Sequence, residues 1–166
     1  SSTVKAIEIE EKLGAGEFPT ILKNTPGVHA NVQGGGWGDS ELYMRGFDNS
    51  NIAILVNGIP VNDMENGVVY WSNWAGLADV TKEVQTQRGV TSSYLSSPAI
   101  GGSVNIITNG IELERKLSLS FSLGSDGYNK ILFSTSTGIL ENGWSFSLLG
   151  GKTWGDGYAI GTNFEV

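Results

Sequence analysis

The chain has 166 residues, a formal net charge of −7 and no cysteine. That length suits one domain, or one small domain with an appendage. The acidic balance argues against nucleic acid, whose affinity comes largely from Lys and Arg on phosphates, and the lack of cysteine removes disulfides, thiolate metal sites and cysteine nucleophiles.

Glycine supplies 24 residues, proline only 4, and charged residues are sparse at 16%. The glycine share is about twice the usual ~7%, which points to short strands and many tight turns. Neutral polar residues of the Ser, Thr and Asn kind suit the interior of a water-filled barrel. No run of about 18 apolar residues exists, so no transmembrane helix is expected. No signal peptide is visible, so Ser1 is expected to be a mature start or one chosen for expression.

Thr3 to Glu10 alternates loosely and predicts a first strand. Phe18, Ile21 and Leu22 fall at i, i+3 and i+4, the spacing of one helix face. That helix should stop near Asn24, because Thr25 precedes Pro26 and is biased away from the helical region. Val28 to Val32 predicts a strand, Gln33 to Ser40 a loop, Leu42 to Arg45 a short strand closed by Gly46, and Asp48 to Asn51 a turn. Ile52 to Val56 is a continuous apolar run, the pattern of a strand buried on both faces. Asn57-Gly58 is a strong hairpin signal. Asn62 to Asn73 predicts a long polar-aromatic loop, and Trp74 to Val80 holds a helical turn. Glu83 to Arg88 predicts a strand, Ser92 to Leu95 a short helix, and Ser103 to Thr108 another strand.

The pattern changes near Asn109–Arg115. Leu117, Leu119, Phe121 and Leu123 alternate with Ser118, Ser120 and Ser122, close to the ~9–11 residues of a tilted membrane strand. Turns at Gly124–Gly127 and Glu141–Gly143 separate this strand from two more, with Leu132 breaking the alternation of the second. Trp144, Phe146 and Leu148 lead the third. Three strands cannot close a barrel, and open edges in hydrocarbon would leave backbone groups unpaired. These residues therefore belong to a larger barrel or form a soluble β-meander.

Several residues invite a chemical reading. Trp37 sits in a glycine-rich loop and is either a ligand platform or a packing residue. Tyr70, Trp71 and Trp74 follow Asp63 and Glu65, and aromatic faces beside carboxylates suit sugars or cations; the alternative is a small satellite core. Asp63 and Glu65 as a glycosidase pair has little support from two acids in one loop. Asp48, Asn49, Asn51 and Asp63 lack EF-hand spacing, so turn chemistry is the simpler account. His29 stands alone without metal-ligand spacing. Gly14-Ala-Gly16 lacks the third glycine of a dinucleotide fingerprint, and the loop at Gly34 lacks the P-loop lysine. An enzyme is not expected, and no cofactor is called for.

Four motifs occur in order. They are Arg45-Gly-Phe47, Val56-Asn-Gly-Ile-Pro60, Lys82-Glu-Val-Gln-Thr-Gln-Arg-Gly89 and Ala99-Ile-Gly-Gly-Ser-Val-Asn-Ile-Ile-Thr108, preceded by Thr25-Pro-Gly-Val28. Together they resemble the plug domain of TonB-dependent outer-membrane receptors, of the Bacteroidetes type. Asn57 stands where that family usually has Asp, and no TonB-box segment precedes Thr3.

The resemblance implies an α+β fold: a small mixed β-sheet plug with short helices over residues 1–110. The antiparallel hairpin strands of a truncated β-barrel follow over residues 111–166. Such a plug fills a 22-stranded barrel, the plugged class of transporter, in the outer membrane of a Gram-negative bacterium, facing the periplasm. It implies ligand contact at the plug tips, through Gly35, Trp37, Asp39, Asp48, Asn49, Asn51, Asp63, Glu65, Tyr70 and Trp71. It also implies that Arg45 and Arg88 latch the plug to barrel glutamates. The implied partners are the TonB-ExbB-ExbD energy-coupling complex, the protein's own barrel, a surface lipoprotein and a nutrient such as an iron chelate, cobalamin, glycan or peptide. A soluble β-rich glycan-binding or adhesion module is the competing reading. The plug reading requires Ile52–Val56, Glu83–Arg88 and Ser103–Thr108 to share one sheet.

Overall fold

The computed structural model of the chain describes residues 2–5, 9, 17–32, 40–89, 99–110, 114–157 and 160–166. The chain divides into two compact units, Ser1–Thr108 and Asn109–Val166. The expected helix at Ser92–Leu95 and the loop at Gly34–Asp39 lie outside the described residues.

The first unit is built on a mixed sheet. Its strands are β1 (Ser2–Lys5), β4 (Ile52–Val56), β5 (Ile59–Pro60), β6 (Thr81–Arg88) and β7 (Gly102–Thr108), in the order β1-β6-β7-β4-β5. The three strands required to share a sheet do so. β7 lies at the centre, antiparallel to β6 and parallel to β4, with Ile52 opposite Gly102 and Arg88 opposite Gly102 on the other side. Ile52, Ala53, Ile54 and Leu55 are all buried, as a strand covered on both faces demands. The remaining strands, β2 (Val28–Val32) and β3 (Ser40–Met44), form a separate antiparallel hairpin. Alternate residues Val28 and Ala30 of β2 and Leu42 and Met44 of β3 enter the core.

A 3₁₀ helix at Phe18–Asn24 buries Phe18, Ile21 and Leu22, the face their spacing predicts. It stops where expected, with Thr25 extended ahead of Pro26. The first strand is shorter than its alternation suggests. It covers Ser2–Lys5, whereas Ile9 is helical and 2% exposed. The apolar positions of that stretch suit burial in either conformation, so periodicity over so few residues does not separate the two. Among the described residues no helix is long and apolar enough to cross a membrane.

Two glycines at the start of β7 set how closely the pieces approach. A β-carbon on Gly101 would stand 2.8 Å from Phe47 Cβ. One on Gly102 would stand 2.5 Å from the Met44 sulfur and closer still to the Gln87 carbonyl oxygen. Gly102 also adopts φ +140, a conformation L side chains rarely take. The β2–β3 hairpin can therefore seat Met44 on the sheet only because β7 carries no side chain there.

The second unit is an antiparallel meander of β8 (Arg115–Leu123), β9 (Asn129–Thr137), β10 (Ser147–Asp156) and β11 (Asn163–Glu165), ordered β11-β10-β9-β8. Leu119 lies opposite Phe133, and Phe121 opposite Ile131, so one face is a continuous apolar surface. Those residues are exposed, Leu119 at 75%. Ser118, Ser120 and Ser122 line the other face, where Ser118 and Ser134 share a hydrogen bond of 2.8 Å. Leu132, the exception to the alternation, pairs with Gly151, and a β-carbon there would stand 2.9 Å from Leu132 Cδ1. The larger residue fills the space the glycine leaves.

Two expectations for this unit need correction. β10 begins at Ser147 rather than at Trp144, because the segment before it is folded into the turn by bonds from Leu140 N–H to Trp144 and from Thr137 N–H to Phe146. A fourth strand, β11, continues the sheet beyond the three anticipated, held in part by a Lys152–Glu165 ion pair of 2.6 Å.

Gly102→Ala should lower the stability of the first unit by about 2–3 kcal/mol, from overpacking combined with an unfavourable backbone conformation. Gly46→Ala, at φ +85 with open space around it, should cost only about 1 kcal/mol. Urea unfolding followed by near-UV circular dichroism would read the difference. Equal midpoints for the two variants would contradict the packing role of Gly102.

Candidate functional site: an arginine pair and an exposed loop at one end of the sheet

Arg45 and Arg88 are far apart in sequence and adjacent in space. Arg45 occupies the first central position of a two-residue turn in which Met44 and Phe47 exchange backbone hydrogen bonds of 2.9 Å in both directions. Arg45 and Gly46 have φ of 55 and 85 there, the signature of a type I′ turn. Asn57 and Asp126 are the other non-glycine residues with positive φ among those described. Asn and Asp tolerate that region; a long side chain such as Arg costs about 1–2 kcal/mol in it. A cost of that kind retained at a polar residue is a pointer to function.

Arg88 ends β6, and its Nη1 donates to the Pro26 carbonyl at 3.3 Å. The Arg45 N–H donates to the Gly27 carbonyl at 2.8 Å. A β-carbon on Gly27 would stand 3.5 Å from Arg88 Cδ and 3.9 Å from Arg45 Cγ, and one on Gly89 would stand 3.1 Å from Arg45 Nη1. The two side chains thus flank the Pro26–Gly27 turn and are exposed. Among the described residues neither makes an ion pair.

The expected tip residues fall into three groups. Gly35, Trp37 and Asp39 lie outside the described residues. Asp48, Asn51 and Asp63 spend their side-chain chemistry on their own turns, and Asn49 spends its oxygen on strand β3. Asp48 Oδ1 accepts from Ser50 Oγ at 2.7 Å and from Asn51 Nδ2 at 2.8 Å. These bonds, Ser50 foremost, hold the Asp48 carboxyl below its ordinary value. Asn49 Oδ1 accepts the Leu42 N–H at 2.9 Å, and Asp63 Oδ1 accepts the N–H groups of Glu65 and Asn66 at 2.8 and 3.2 Å. Among the described residues no group of three or more His, Asp or Glu is placed to hold a metal ion.

The third group is exposed. Glu65 projects from the loop, and Tyr70 is 50% exposed with its hydroxyl accepting from Asn66 Nδ2 at 2.6 Å. Between Asp63 and Glu65, Met64 is fully exposed, a residue the sequence reading passed over. Its signal was an apolar side chain at the apex of an otherwise polar loop. Trp71 is a correction: it is 5% exposed and stacks on Phe18, ring centroids 5.4 Å apart. It belongs to the core, with half-buried Trp74 packed against the same cluster. His29 faces Tyr43 across the β2–β3 hairpin at 6.3 Å between rings, and the Tyr43 hydroxyl donates to Glu41, which raises the Tyr43 pKa.

The loop and the arginines share one end of the sheet. The Gly101 N–H donates to the Asn51 carbonyl at 3.0 Å, and the Gly89 N–H to the Gly101 carbonyl at 3.2 Å. A β-carbon on Gly67 would stand 3.3 Å from the Ser50 carbonyl oxygen, so the Asp63–Gly67 loop rests on the Asp48–Asn51 turn. Asn62 anchors the loop. Its Oδ1 accepts the Ile54 N–H at 2.8 Å, and its Nδ2 donates to the carbonyls of Ile52 at 2.9 Å and Gly67 at 2.7 Å. The carboxamide pairs with the edge of β4 as a peptide group would, extending the ladder past the two residues of β5.

A family model described as the TonB-dependent receptor plug domain matches residues 1–103. The chain is similar to the vitamin B12 transporter BtuB of Vibrio vulnificus, at 28% identity over 160 residues, 96% of this chain and 26% of that protein. The BtuB of Photobacterium profundum is 31% identical, over 95% of this chain and 25% of that protein. The chain therefore spans about a quarter of the length of these relatives. Among solved structures, the siderophore receptor PirA from Acinetobacter baumannii superposes with a TM-score of 0.71 at 25% identity, covering 93% of this chain and 24% of that one. PirA from Pseudomonas aeruginosa gives 0.69 at 25% identity, covering 95% and 29%.

Asn62→Ala should leave the buried Ile54 N–H without its partner, at a cost of about 1–3 kcal/mol. Hydrogen exchange at the Ile54 amide should quicken markedly while the amides of β6 keep their protection. Unchanged exchange at Ile54 would show that the loop is held by other means.

Proposed function

Because the chain belongs to the TonB-dependent receptor plug domain family, we propose that it forms the gate of an outer-membrane receptor for an extracellular nutrient. In this reading residues 1–110 are the plug, and residues 111–166 are the first strands of its surrounding barrel. The apolar face of β8 and β9 then meets lipid, and the serine face meets the lumen, the alternation a membrane barrel strand needs. Import draws on the TonB-ExbB-ExbD complex, whose pull on the plug from the periplasm opens the lumen, and a surface lipoprotein is a compatible further partner. The plug does no covalent chemistry.

The observation that carries the reading is the pair Arg45 and Arg88, side by side, exposed, and with Arg45 held in a costly backbone conformation. An enclosing barrel that supplies carboxylates would turn these solvated cations into a buried ionic latch. Removing one side of such a contact leaves the other charge uncompensated, at about 3–5 kcal/mol. Met64, Glu65 and Tyr70 present an apolar surface, a carboxylate and an aromatic face at the same end of the sheet. That set favours a ligand offering apolar and hydroxyl-bearing or cationic surface over one presenting dense negative charge. Cobalamin and ferric chelates, the cargoes for which the similar proteins are named, are the first ligands to test.

Arg45→Ala combined with Arg88→Ala in the full-length receptor should loosen the plug without emptying the core. In planar bilayers the variant should conduct ions at urea concentrations that leave the unsubstituted receptor closed. Identical urea thresholds for the two proteins would sink the latch.

A further inference from the structure

The sequence contains four Asn-Gly dipeptides, at Asn57-Gly58, Asn66-Gly67, Asn109-Gly110 and Asn142-Gly143. Each is chemically capable of spontaneous deamidation, because glycine leaves the following backbone nitrogen open to approach the asparagine side chain. That nitrogen attacks the carboxamide carbon, a C–N bond forms, and the amide nitrogen departs as ammonia. Water then opens the resulting succinimide at either carbonyl, giving aspartate or isoaspartate. The balance is one water in and one ammonia out. Two features of a fold suppress the reaction: a hydrogen bond that occupies the attacking N–H, and bonds that hold the carboxamide away from it.

Three of the four sites have both protections. Asn57 Nδ2 donates to Thr108 Oγ1 at 2.8 Å and its Oδ1 accepts the Thr108 N–H at 3.0 Å, while the Gly58 N–H is held by Asn105 Oδ1 at 3.0 Å. Asn66 Nδ2 donates to the Tyr70 hydroxyl at 2.6 Å and its Oδ1 accepts the Val68 N–H at 3.0 Å, while the Gly67 N–H is bound to the Asp63 carbonyl at 2.9 Å. Asn142 Oδ1 accepts the Trp144 N–H at 3.2 Å, and the Gly143 N–H is bound to the Leu140 carbonyl at 2.8 Å.

Asn109-Gly110 has neither. Both residues are exposed, and a β-carbon on Gly110 would meet nothing within 4 Å. Among the described residues the Asn109 carboxamide and the Gly110 N–H have no hydrogen-bond partner. We propose that Asn109 is a deamidation site, left open by the fold while the other three Asn-Gly pairs are shielded. The position matters because it follows β7 directly, where the chain passes from one compact unit to the next. Conversion adds a negative charge there. The isoaspartyl product also routes the main chain through the former side chain and lengthens the connection by one methylene. None of this depends on the ligand or on the receptor reading.

The test is a time course of the folded full-length protein at mildly alkaline pH, with each Asn-Gly peptide quantified by mass spectrometry. Asn109 should convert several-fold faster than Asn57, Asn66 and Asn142. In denaturant the four rates should converge, because the shielding is then gone and the dipeptides are chemically alike. Asn109→Gln should abolish conversion at that position and leave the other three rates unchanged. A folded-state rate at Asn109 no greater than at Asn57 would overturn the proposal. So would a preference for Asn109 that persists undiminished in denaturant.

Discussion

The close backbone approach at Gly101 and Gly102 is the constraint on which the first unit depends. Phe47 sits where a β-carbon of Gly101 would be, and Met44 where one of Gly102 would be. β7 therefore receives the Arg45-Gly-Phe47 turn directly on its first residues. At its other end the same strand closes the Asn57-Gly58 hairpin, through Asn105 and Thr108. Beside it, the Gly89 N–H at the end of β6 binds the Gly101 carbonyl. The four sequence motifs are thus one another's partners, which is a physical reason for them to occur together. A side chain at Gly102 would push β3 off the sheet and loosen three of them at once.

This arrangement puts the exposed Asp63–Gly67 loop and the Arg45–Arg88 pair, the proposed sensor and latch, at the same end of the sheet. The Asp63–Gly67 loop lies on the Asp48–Asn51 turn, whose last carbonyl binds Gly101, and Gly101 in turn binds Gly89 beside Arg45. Each link is a backbone hydrogen bond or a contact against a glycine, where little slack exists. A shift of the exposed loop would be felt at the arginines through a short, stiff route, whereas two sites at opposite ends of the sheet would have to communicate along its strands.

Much of the fold was legible because its signals are local. The unbroken apolar run at Ile52–Val56, the Asn57-Gly58 turn and the leucine–serine alternation after Arg115 each specify a strand or turn from neighbouring residues alone. Two positions are illegible because a long-range contact decides them. Trp71 reads as a loop aromatic until Phe18, distant in sequence, stacks on it and takes it into the core. Asn62 reads as one more polar loop residue until its carboxamide meets the open edge of β4. Asp48, Asn49 and Asp63 each accept from a nearby donor and Asn51 donates to Asp48, the turn chemistry that their types and spacing suggest. Among the described residues of these loops Asp48, Asp63 and Glu65 stay exposed, with Met64 fully exposed between the last two.

Hydrogen–deuterium exchange on the full-length receptor, with and without a transported ligand, tests the central claim most directly. Ligand-induced protection is expected in peptides covering Met64–Tyr70 and the adjoining Asp48–Asn51 turn, with none at the Asn57-Gly58 hairpin on the opposite end of the sheet. Protection at the hairpin with none at Met64–Tyr70 would contradict that claim.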